Sequence, residues 1–553
     1  MSDGEISVLI GGKAGEGISS AGQVIAHLLA RQGYHIHMYF DYPSLIKGGH
    51  NFAIIRGAHR PVGAVREQVD FILALDHDTV KLHQPRLDAA GVIIRNTDTV
   101  KIHGGIGIGV REILDTEQAP AVMGNSAIIG AFVKAAGIDW TSASEVLRKS
   151  YPKGTEQNLR VARRGYEQSE PGIKVVFPGG RQFPVFSGNE AIGIGLVEAG
   201  LGLYIGYPMS PTSNLLHFLA ASAGDAGIRV IQPESEIAVI LMALGSAYAG
   251  TRAAVGTSGG GFCLMTEALG LSGIAELPVV IVLGQRTGPS TGLATYTAQS
   301  DLQFAIGAGQ GDFPRLVVAP GNAQEARKWA NAGMNLAWKY QIPVILLSDK
   351  ILCEGLYTLD PADTCACDIS PVSGESGIHP YLRYAFSDSG ISPMRFPPMK
   401  GDVVRVNSHV HDPEGITTED IRVTRAMADK RAKKMQGLKE ELEGMDTVPV
   451  GGDTGAETAL LCWGSNKGIC RELGEKMGLR VVQPVGLWPF PERTFAAAME
   501  GVERFYAVET NESGQLARLV RQFGYVPDGL ILKYDGRPFT VEELESEIRK
   551  VIS

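Results

Sequence analysis

The chain has 553 residues, 44% of them hydrophobic, and carries 51 Lys and Arg against 60 Asp and Glu for a formal charge of −9. Such a length corresponds to roughly three to four compact domains, each large enough to bury a core. The acidic balance, without a dense basic cluster, argues against nucleic-acid binding. The opening residues MSDGEISVLIGG lack a basic segment followed by a long apolar stretch, and apolar runs such as Pro278–Leu283 are too short to span a bilayer, so a cytoplasmic protein with no membrane partner is expected.

Six cysteines at 263, 353, 365, 367, 462 and 470 form no C-x-x-C pair and no run of the kind that holds an iron–sulfur cluster, so no cluster is expected on this chain. Cys365 and Cys367 could grip a metal, but no further ligand is near in sequence, and reduced structural thiols are the expected state. Glycine accounts for 69 residues, where average usage would give roughly 39. Many loops must therefore need positive φ or close backbone approach, as in α/β proteins that handle cofactors.

In chain order, residues 1–178 alternate strand and helix: strands at Ile6–Ile10, Ile36–Tyr39, Phe71–Leu75 and Val92–Arg95, with a helix from Ser20 to Gln32, predict a parallel α/β domain. Its loop Gly11–Gly17 is either a phosphate receptor or a tight strand-to-helix turn; it lacks the third glycine of a dinucleotide fingerprint, because Ser20 stands there, and the Gly-Lys-Ser/Thr of a P-loop. Residues 184–373 form a second α/β block, with strands Val279–Leu283 and Val344–Leu347. Residues 374–450 read as an extended connector ending in the charged helix Thr418–Glu443, packed on a neighbour. Residues 451–553 regain alternation, with strands at Thr458–Cys462, Arg480–Gln483 and Arg504–Thr510.

Four segments of the second block carry candidate chemistry. Tyr207–Ser213 ends a strand and opens a helix, so Ser210 lies where open parallel sheets bind ligands, or else Ser210, Thr212 or Ser213 simply caps the helix. Glu234 and Glu236 open a helix whose apolar face is Ile237, Ile240, Leu241 and Leu244; the acids either complement the helix dipole or one of them bonds a ligand nitrogen. Thr257–Gly261 reads as a loop after a strand. In Gln285–Gly292, Arg286 at a strand end among glycines suits bidentate capture of a carboxylate, the alternative being a surface salt bridge.

Taken in order, Tyr207–Ser213, Glu234–Glu236, Thr257–Gly261 and Gln285–Gly292 with Tyr296–Asp301 resemble the α subunit of the 2-oxoacid:ferredoxin oxidoreductases, of the type with the γ domain fused at the N-terminus. Gly11–Gly17 with Leu45–Asn51, Ser387–Pro393 and Val508–Gln515 extend the resemblance over almost the whole chain. It implies an α/β fold of several parallel-sheet domains: a γ-type domain, a transketolase-like pyrimidine domain that binds thiamine diphosphate, and a transketolase C-terminal-like domain. It further implies oxidative decarboxylation of a 2-oxoacid to its acyl-CoA, with coenzyme A as co-substrate and ferredoxin as acceptor. Magnesium, the diphosphate half of the site and an iron–sulfur cluster belong, on this resemblance, to a β subunit in an αβ or (αβ)2 assembly.

By the same correspondence Glu236 is the cofactor-activating glutamate, Pro208 lines the cofactor, Arg286 holds the substrate carboxylate, and Thr295 and Ser210 add polar contacts. Ser210 stands where the family usually has threonine, Met209 where it has isoleucine, and Lys47 where it often has arginine, so fine specificity and the γ-type domain's part near coenzyme A do not follow. The γ-first arrangement resembles the 2-oxoglutarate type most. Pyruvate, branched-chain 2-oxoacids or indolepyruvate are the alternative substrates. A non-catalytic coenzyme A- or nucleotide-binding subunit is the reading from another class, and it leaves the second block's motifs without a purpose.

Overall fold

The structure is a computed structural model that describes residues 4–43, 49–173, 175–359, 380–398 and 403–552. Cys365, Cys367 and Lys47, singled out above, lie outside the described residues. The chain forms two compact units, one comprising Met1–Ser187, Glu354–Asp363 and Pro538–Ser553, the other Gly188–Cys353 and Thr364–Arg537. Among the described residues no helix is long and apolar enough to cross a membrane.

The first unit is built on an eight-stranded sheet. Strands Glu5–Lys13, Val69–Ala74, Leu87–Asn96 and Ile106–Ile108 run parallel, as the alternating pattern predicts. The other half is antiparallel: His50–Ala58 pairs with both Glu5–Lys13 and His35–Asp41, and Leu356–Thr358 and Val185–Ser187 extend the edge. His50–Ala58 has no counterpart among the strands expected from the sequence. Ile25, Leu28 and Leu29 of helix Ile18–Arg31 pack with Ile6, Val8 and Ile10 in its core. The loop between strand and helix is a tight turn, in which the Glu16 carboxylate accepts the Lys13 N–H at 2.7 Å. An acidic side chain already fills this turn, which disfavours the phosphate reading.

The second unit holds two sheets. The seven-stranded one runs in the order Gly486–Trp488, Leu316–Val318, Pro343–Asp349, Val279–Gln285, Ala253–Ser258, Leu203–Gly206, Arg229–Ile231, and is parallel except at the Gly486–Trp488 edge. The five-stranded one orders Val450–Gly452, Arg480–Val482, Thr458–Cys462, Arg504–Glu509 and Gly529–Leu532, parallel except at the Val450–Gly452 edge. Strands Val279–Gln285 and Pro343–Asp349 of the larger sheet are buried along their whole length and apolar over most of it, the pattern of a sheet covered on both faces.

The charged connector helix spans Ile421–Glu443, and its lysines are not all solvated. Lys430 and Lys434 are fully buried against Glu276, with Nζ to carboxylate distances of 2.6 Å, while Arg383 donates to the Glu276 backbone carbonyl at 2.7 Å. Burial alone would raise the Glu276 carboxyl; the fields of Lys434, Lys430 and Arg383 outweigh it and hold the group well below the ordinary carboxylate range. Burial likewise pulls the Lys434 ammonium down to about 8 against the attraction of Glu276. Three buried cations thus share one carboxylate, which fastens the connector to the end of helix Thr266–Ala275. Glu276→Ala leaves those cations without their counter-ion and is expected to lower stability by about 3–5 kcal/mol; a denaturant titration showing less than about 1 kcal/mol would mean the cluster contributes no more than a surface pair.

Candidate functional site

The carboxyl ends of the central parallel strands converge on one edge of the seven-stranded sheet, the place where open α/β sheets bind ligands. After strand Leu203–Gly206 the segment through Tyr207, Pro208 and Met209 leads to helix Ser213–Ala221. No side chain caps that helix: Thr212 Oγ1 instead donates back to the Met209 carbonyl at 3.0 Å, which removes the capping role considered for this segment. Asn189, fully buried, donates to the Pro211 carbonyl at 2.9 Å and fixes the turn from the other side. Pro208 is exposed at the rim and Ser210 is half-buried beneath it.

Helix Glu236–Tyr248 begins at the N-cap Ser235, whose hydroxyl accepts the Ala238 N–H. Glu234 therefore precedes the helix, and only Glu236 sits in its first turn. Glu236 is buried, and its Oε1 has no hydrogen-bond partner among the described residues. The buried face of the helix is Glu236, Val239, Ile240, Ala243, Leu244 and Ala247. Ile237 and Leu241, expected on that face, are instead 49% and 46% exposed. A helix apolar all round carries no sequence mark distinguishing its core side from a side open to a partner.

Facing Glu236 is the end of strand Ala253–Ser258. Thr257–Gly261 is not a loop: the strand runs through Ser258 and helix Gly259–Cys263 follows at once. Glycine is obligatory at two places in that turn. A Cβ at Gly261 would stand 2.2 Å from Thr257 Oγ1 and 2.5 Å from Glu236 Oε1; one at Gly259 would stand 2.7 Å from Asp301 Oδ2. Two carboxylates thus press against the same short backbone turn. Ser258 Oγ contacts Met209 Sδ at 2.7 Å, which joins the turn to the Tyr207–Ser213 segment.

Strand Val279–Gln285 delivers Arg286 to the same edge. The guanidinium makes no surface salt bridge among the described residues. It donates from Nη1 to the Ser210 carbonyl at 3.3 Å, and its Nε is buried without a partner among the described residues. Burial depresses its pKa while the field of Asp301 acts in the other sense. The chain then returns through Leu293–Tyr296, where Thr295 is buried, to Asp301, whose backbone N–H donates to Gln285 Oε1 at 2.9 Å. Asp301 Oδ2 is buried and unpartnered among the described residues, and burial, against the field of Arg286, pushes its carboxyl up to about 6.

The structure thus brings Ser210, Arg286 and Glu236 to one sheet edge, with Pro208 at its rim and Thr295 in the returning loop. Sequence reasoning quoted Gln285 and Asp301 within motifs but gave them no role, and passed over Asn189. Nothing local marks these residues: each acts through a partner at least 16 positions away in the chain.

Parallel strands ending in this arrangement define an α/β protein with a pyrimidine-type cofactor domain. Residues 194–430 match the family described as pyruvate flavodoxin/ferredoxin oxidoreductase, thiamine diphosphate-binding, and residues 7–168 match pyruvate ferredoxin/flavodoxin oxidoreductase. The chain is 31% identical to the 2-oxoacid:ferredoxin oxidoreductase subunit alpha of a Sulfolobus species, over 99% of this chain and 97% of that protein. It is 29% identical to the 2-oxoglutarate synthase subunit KorA of Methanothermobacter thermautotrophicus, over 66% of this chain and 97% of that one. The solved structure of the 2-oxoglutarate:ferredoxin oxidoreductase from Magnetococcus marinus, with 2-oxoglutarate, coenzyme A and succinyl-CoA bound, superimposes with a TM-score of 0.89 at 26% identity over the full length of both chains. The chain belongs to the thiamine-diphosphate-dependent 2-oxoacid:ferredoxin oxidoreductases, as an α subunit.

Gly261→Ala is expected to displace Glu236 and lower turnover of the assembled enzyme by roughly 10–100-fold, whereas Gly260→Ala, whose Cβ would meet nothing closer than 3.8 Å, leaves it near wild type. Equal rates for the two variants, each with unchanged circular dichroism, would show that the turn does not hold the carboxylate in place.

Proposed function

We propose that this chain supplies the pyrimidine half of a thiamine diphosphate site, that a β subunit supplies the diphosphate, magnesium and iron–sulfur half, and that the assembly oxidatively decarboxylates 2-oxoglutarate to succinyl-CoA and reduces ferredoxin. The observation that carries this reading is the buried, unpartnered Oε1 of Glu236 at the ligand-binding edge of a parallel sheet. A buried carboxylate oxygen without a donor is costly, by about 1–3 kcal/mol or more, and a pyrimidine ring nitrogen carrying a shared proton is the group that would satisfy it. Gly261 leaves the space in which the Glu236 carboxylate itself sits.

Thiamine diphosphate, when bound, supplies the electron sink that makes loss of the substrate carboxylate feasible. The chain's own residues orient and polarise. Glu236 holds the proton at the pyrimidine nitrogen and so sets the cofactor's tautomer. Arg286 presents a fixed guanidinium, with Nε uncommitted, for the substrate carboxylate, and Ser210 and Thr295 lend hydroxyls around it. Pro208, exposed on the segment after strand Leu203–Gly206, would line the cofactor.

Ile237, Leu241 and Met242 stand exposed on the outer face of the helix that Glu236 begins. An apolar face of this kind beside a half-built polar site supports its role as the β-subunit contact.

The Magnetococcus and KorA relatives favour 2-oxoglutarate. A second reading is favoured by the archaeal relatives that align over 99% of the chain and bear the general name 2-oxoacid:ferredoxin oxidoreductase: a range that extends to pyruvate and other 2-oxoacids.

The test is anaerobic, coenzyme A-dependent reduction of a viologen dye over a panel of 2-oxoacids, with the chain alone and with its co-purified partner. Activity is expected only in the complex, with 2-oxoglutarate the best substrate. Glu236→Gln is expected to lower kcat by roughly 10²–10⁴-fold with the complex intact. Turnover by the isolated chain, or a Glu236→Gln complex that keeps its rate, would overturn the half-site assignment. Arg286→Ala is expected to raise KM for every 2-oxoacid by roughly 30-fold or more; an unchanged KM would remove Arg286 from the substrate site.

A further inference from the structure

Arg286 and Asp301 face one another across the sheet edge in an unusual state. The guanidinium Nε and the carboxylate Oδ2 are both buried and both lack a hydrogen-bond partner among the described residues, yet each lies in the other's field. The two are also held from behind. Arg286 is tethered by Nη1 to the Ser210 carbonyl, and Asp301 by its backbone N–H to the Gln285 side chain, which in turn donates to the Ser348 carbonyl at 3.2 Å. A charged pair so fixed, and left open between its two ends, is balanced by charge rather than closed by a direct bond.

A 2-oxoacid brings a second anion. With Asp301 ionised, a carboxylate on Arg286 would leave one guanidinium facing two negative groups in a site screened from water, which is strongly unfavourable. A proton on Asp301 restores neutrality. We propose that Asp301 is a positioning residue that couples 2-oxoacid binding to the uptake of one proton: ionised, it is the resting counter-ion of Arg286, and it takes a proton from solvent when the substrate carboxylate replaces it. This rests on the assignment of Arg286 to the substrate carboxylate.

The surroundings fit that role. Asp301 opens helix Leu302–Gly307 without capping it, so its side chain is not committed to structure. Across the Gly259–Gly261 turn lies Glu236. From the C-terminal sheet the neighbouring loop meets the amides of Asn511 and Gln515, and Glu509, whose carboxylate accepts from Trp463, Asn511, Leu516 and Ala517. Lys350 and Arg537 lie over the ring of Tyr296, in the same returning loop. Arg286 is the charged group whose field acts on the Asp301 carboxyl, which already titrates near neutrality, at about 6.

The sign follows directly. Below about 6 the free enzyme carries the proton and Arg286 is unopposed. Above it, substrate must bring a proton in, and apparent affinity falls with rising pH by up to about tenfold per unit. The experiment is the pH profile, from 6.5 to 8.5, of KM for 2-oxoglutarate in the assembled enzyme, for wild type, Asp301→Asn, Asp301→Glu and Arg286→Ala.

The wild-type KM is expected to climb across that range. Asp301→Asn, neutral at every pH, is expected to hold KM flat and at least about tenfold below wild type at pH 8, with kcat within a few-fold; Asp301→Glu restores the slope. A flat wild-type profile, or an Asp301→Asn profile parallel to it, overturns the coupling. If Arg286→Ala leaves KM unchanged, the substrate-carboxylate assignment fails; if it raises KM while the Asp301→Asn profile keeps the wild-type slope, the present inference alone fails.

Discussion

Gln299 is fully buried, and every polar atom it owns is bonded to the strand ends of the C-terminal sheet. Its Nε2 donates to the Trp463 carbonyl at 2.7 Å, its Oε1 accepts from Asn466 and from the Thr510 N–H at 2.8 and 3.0 Å, and its backbone exchanges bonds with Thr510 and Asn511. Each bond that failed would strand a buried polar group at a cost of about 1–3 kcal/mol, so the clamp holds all together or not at all. The loop from Arg286 to Asp301 is thereby fixed at both ends, by Gln285 on the larger sheet and by Gln299 on the smaller. The C-terminal domain holds this loop through amide and backbone groups, and so decides where Arg286 and Asp301 can stand. Gln515 strengthens the same joint, donating to the Ser300 carbonyl at 2.6 Å and accepting the Gln303 N–H at 3.0 Å.

Against that satisfied network the site is conspicuous for what it leaves unsatisfied. Glu236 Oε1, Arg286 Nε and Asp301 Oδ2 are all buried without partners among the described residues, at strand ends of one sheet. Buried polar atoms left open together at one sheet edge, beside a loop whose anchoring groups are paired, suit a place built for a ligand rather than for stability. The connector cluster around Glu276 makes the contrast plain. There two buried lysines reach the Glu276 carboxylate and Arg383 its backbone carbonyl, all at hydrogen-bond distance, and the arrangement is spent on holding a helix.

Most strands were legible because burial on both faces writes itself as an apolar run: Val279–Gln285 and Pro343–Asp349 contain the strands read from the sequence. His50–Ala58 was not, since it begins with polar residues behind glycines. The helix Glu236–Tyr248 was read correctly as a helix but with Ile237 and Leu241 facing inward, because periodicity measures apolarity and not which apolar side is covered. From the residues alone Glu234 and Glu236 are equivalent, and only the resemblance chose between them; the N-cap Ser235 separates them physically, with one outside the helix and the other in its first, buried turn. Motifs located Arg286 and Glu236; the bonds that fix Asp301 and Gln299 join segments 16 to more than 200 residues apart and leave no local trace.

The exposed Ile237, Leu241 and Met242 and the unpartnered Glu236 belong to the same helix, and this adjacency has an energetic consequence on the half-site reading. Apolar surface left in water and a carboxylate oxygen left without a donor are both costs of the isolated chain, and each is relieved only by binding: the first by a partner surface, the second by the cofactor ring. A partner that covers the helix also excludes water from Glu236 and so strengthens every electrostatic contact the cofactor makes there. A cofactor that satisfies Glu236 fixes the first turn of the helix that the partner must dock on. Each binding event therefore lowers the cost of the other, and by linkage the gain is the same in both directions. The chain on its own carries the geometry of the site, while the affinity of the site is a property of the assembly.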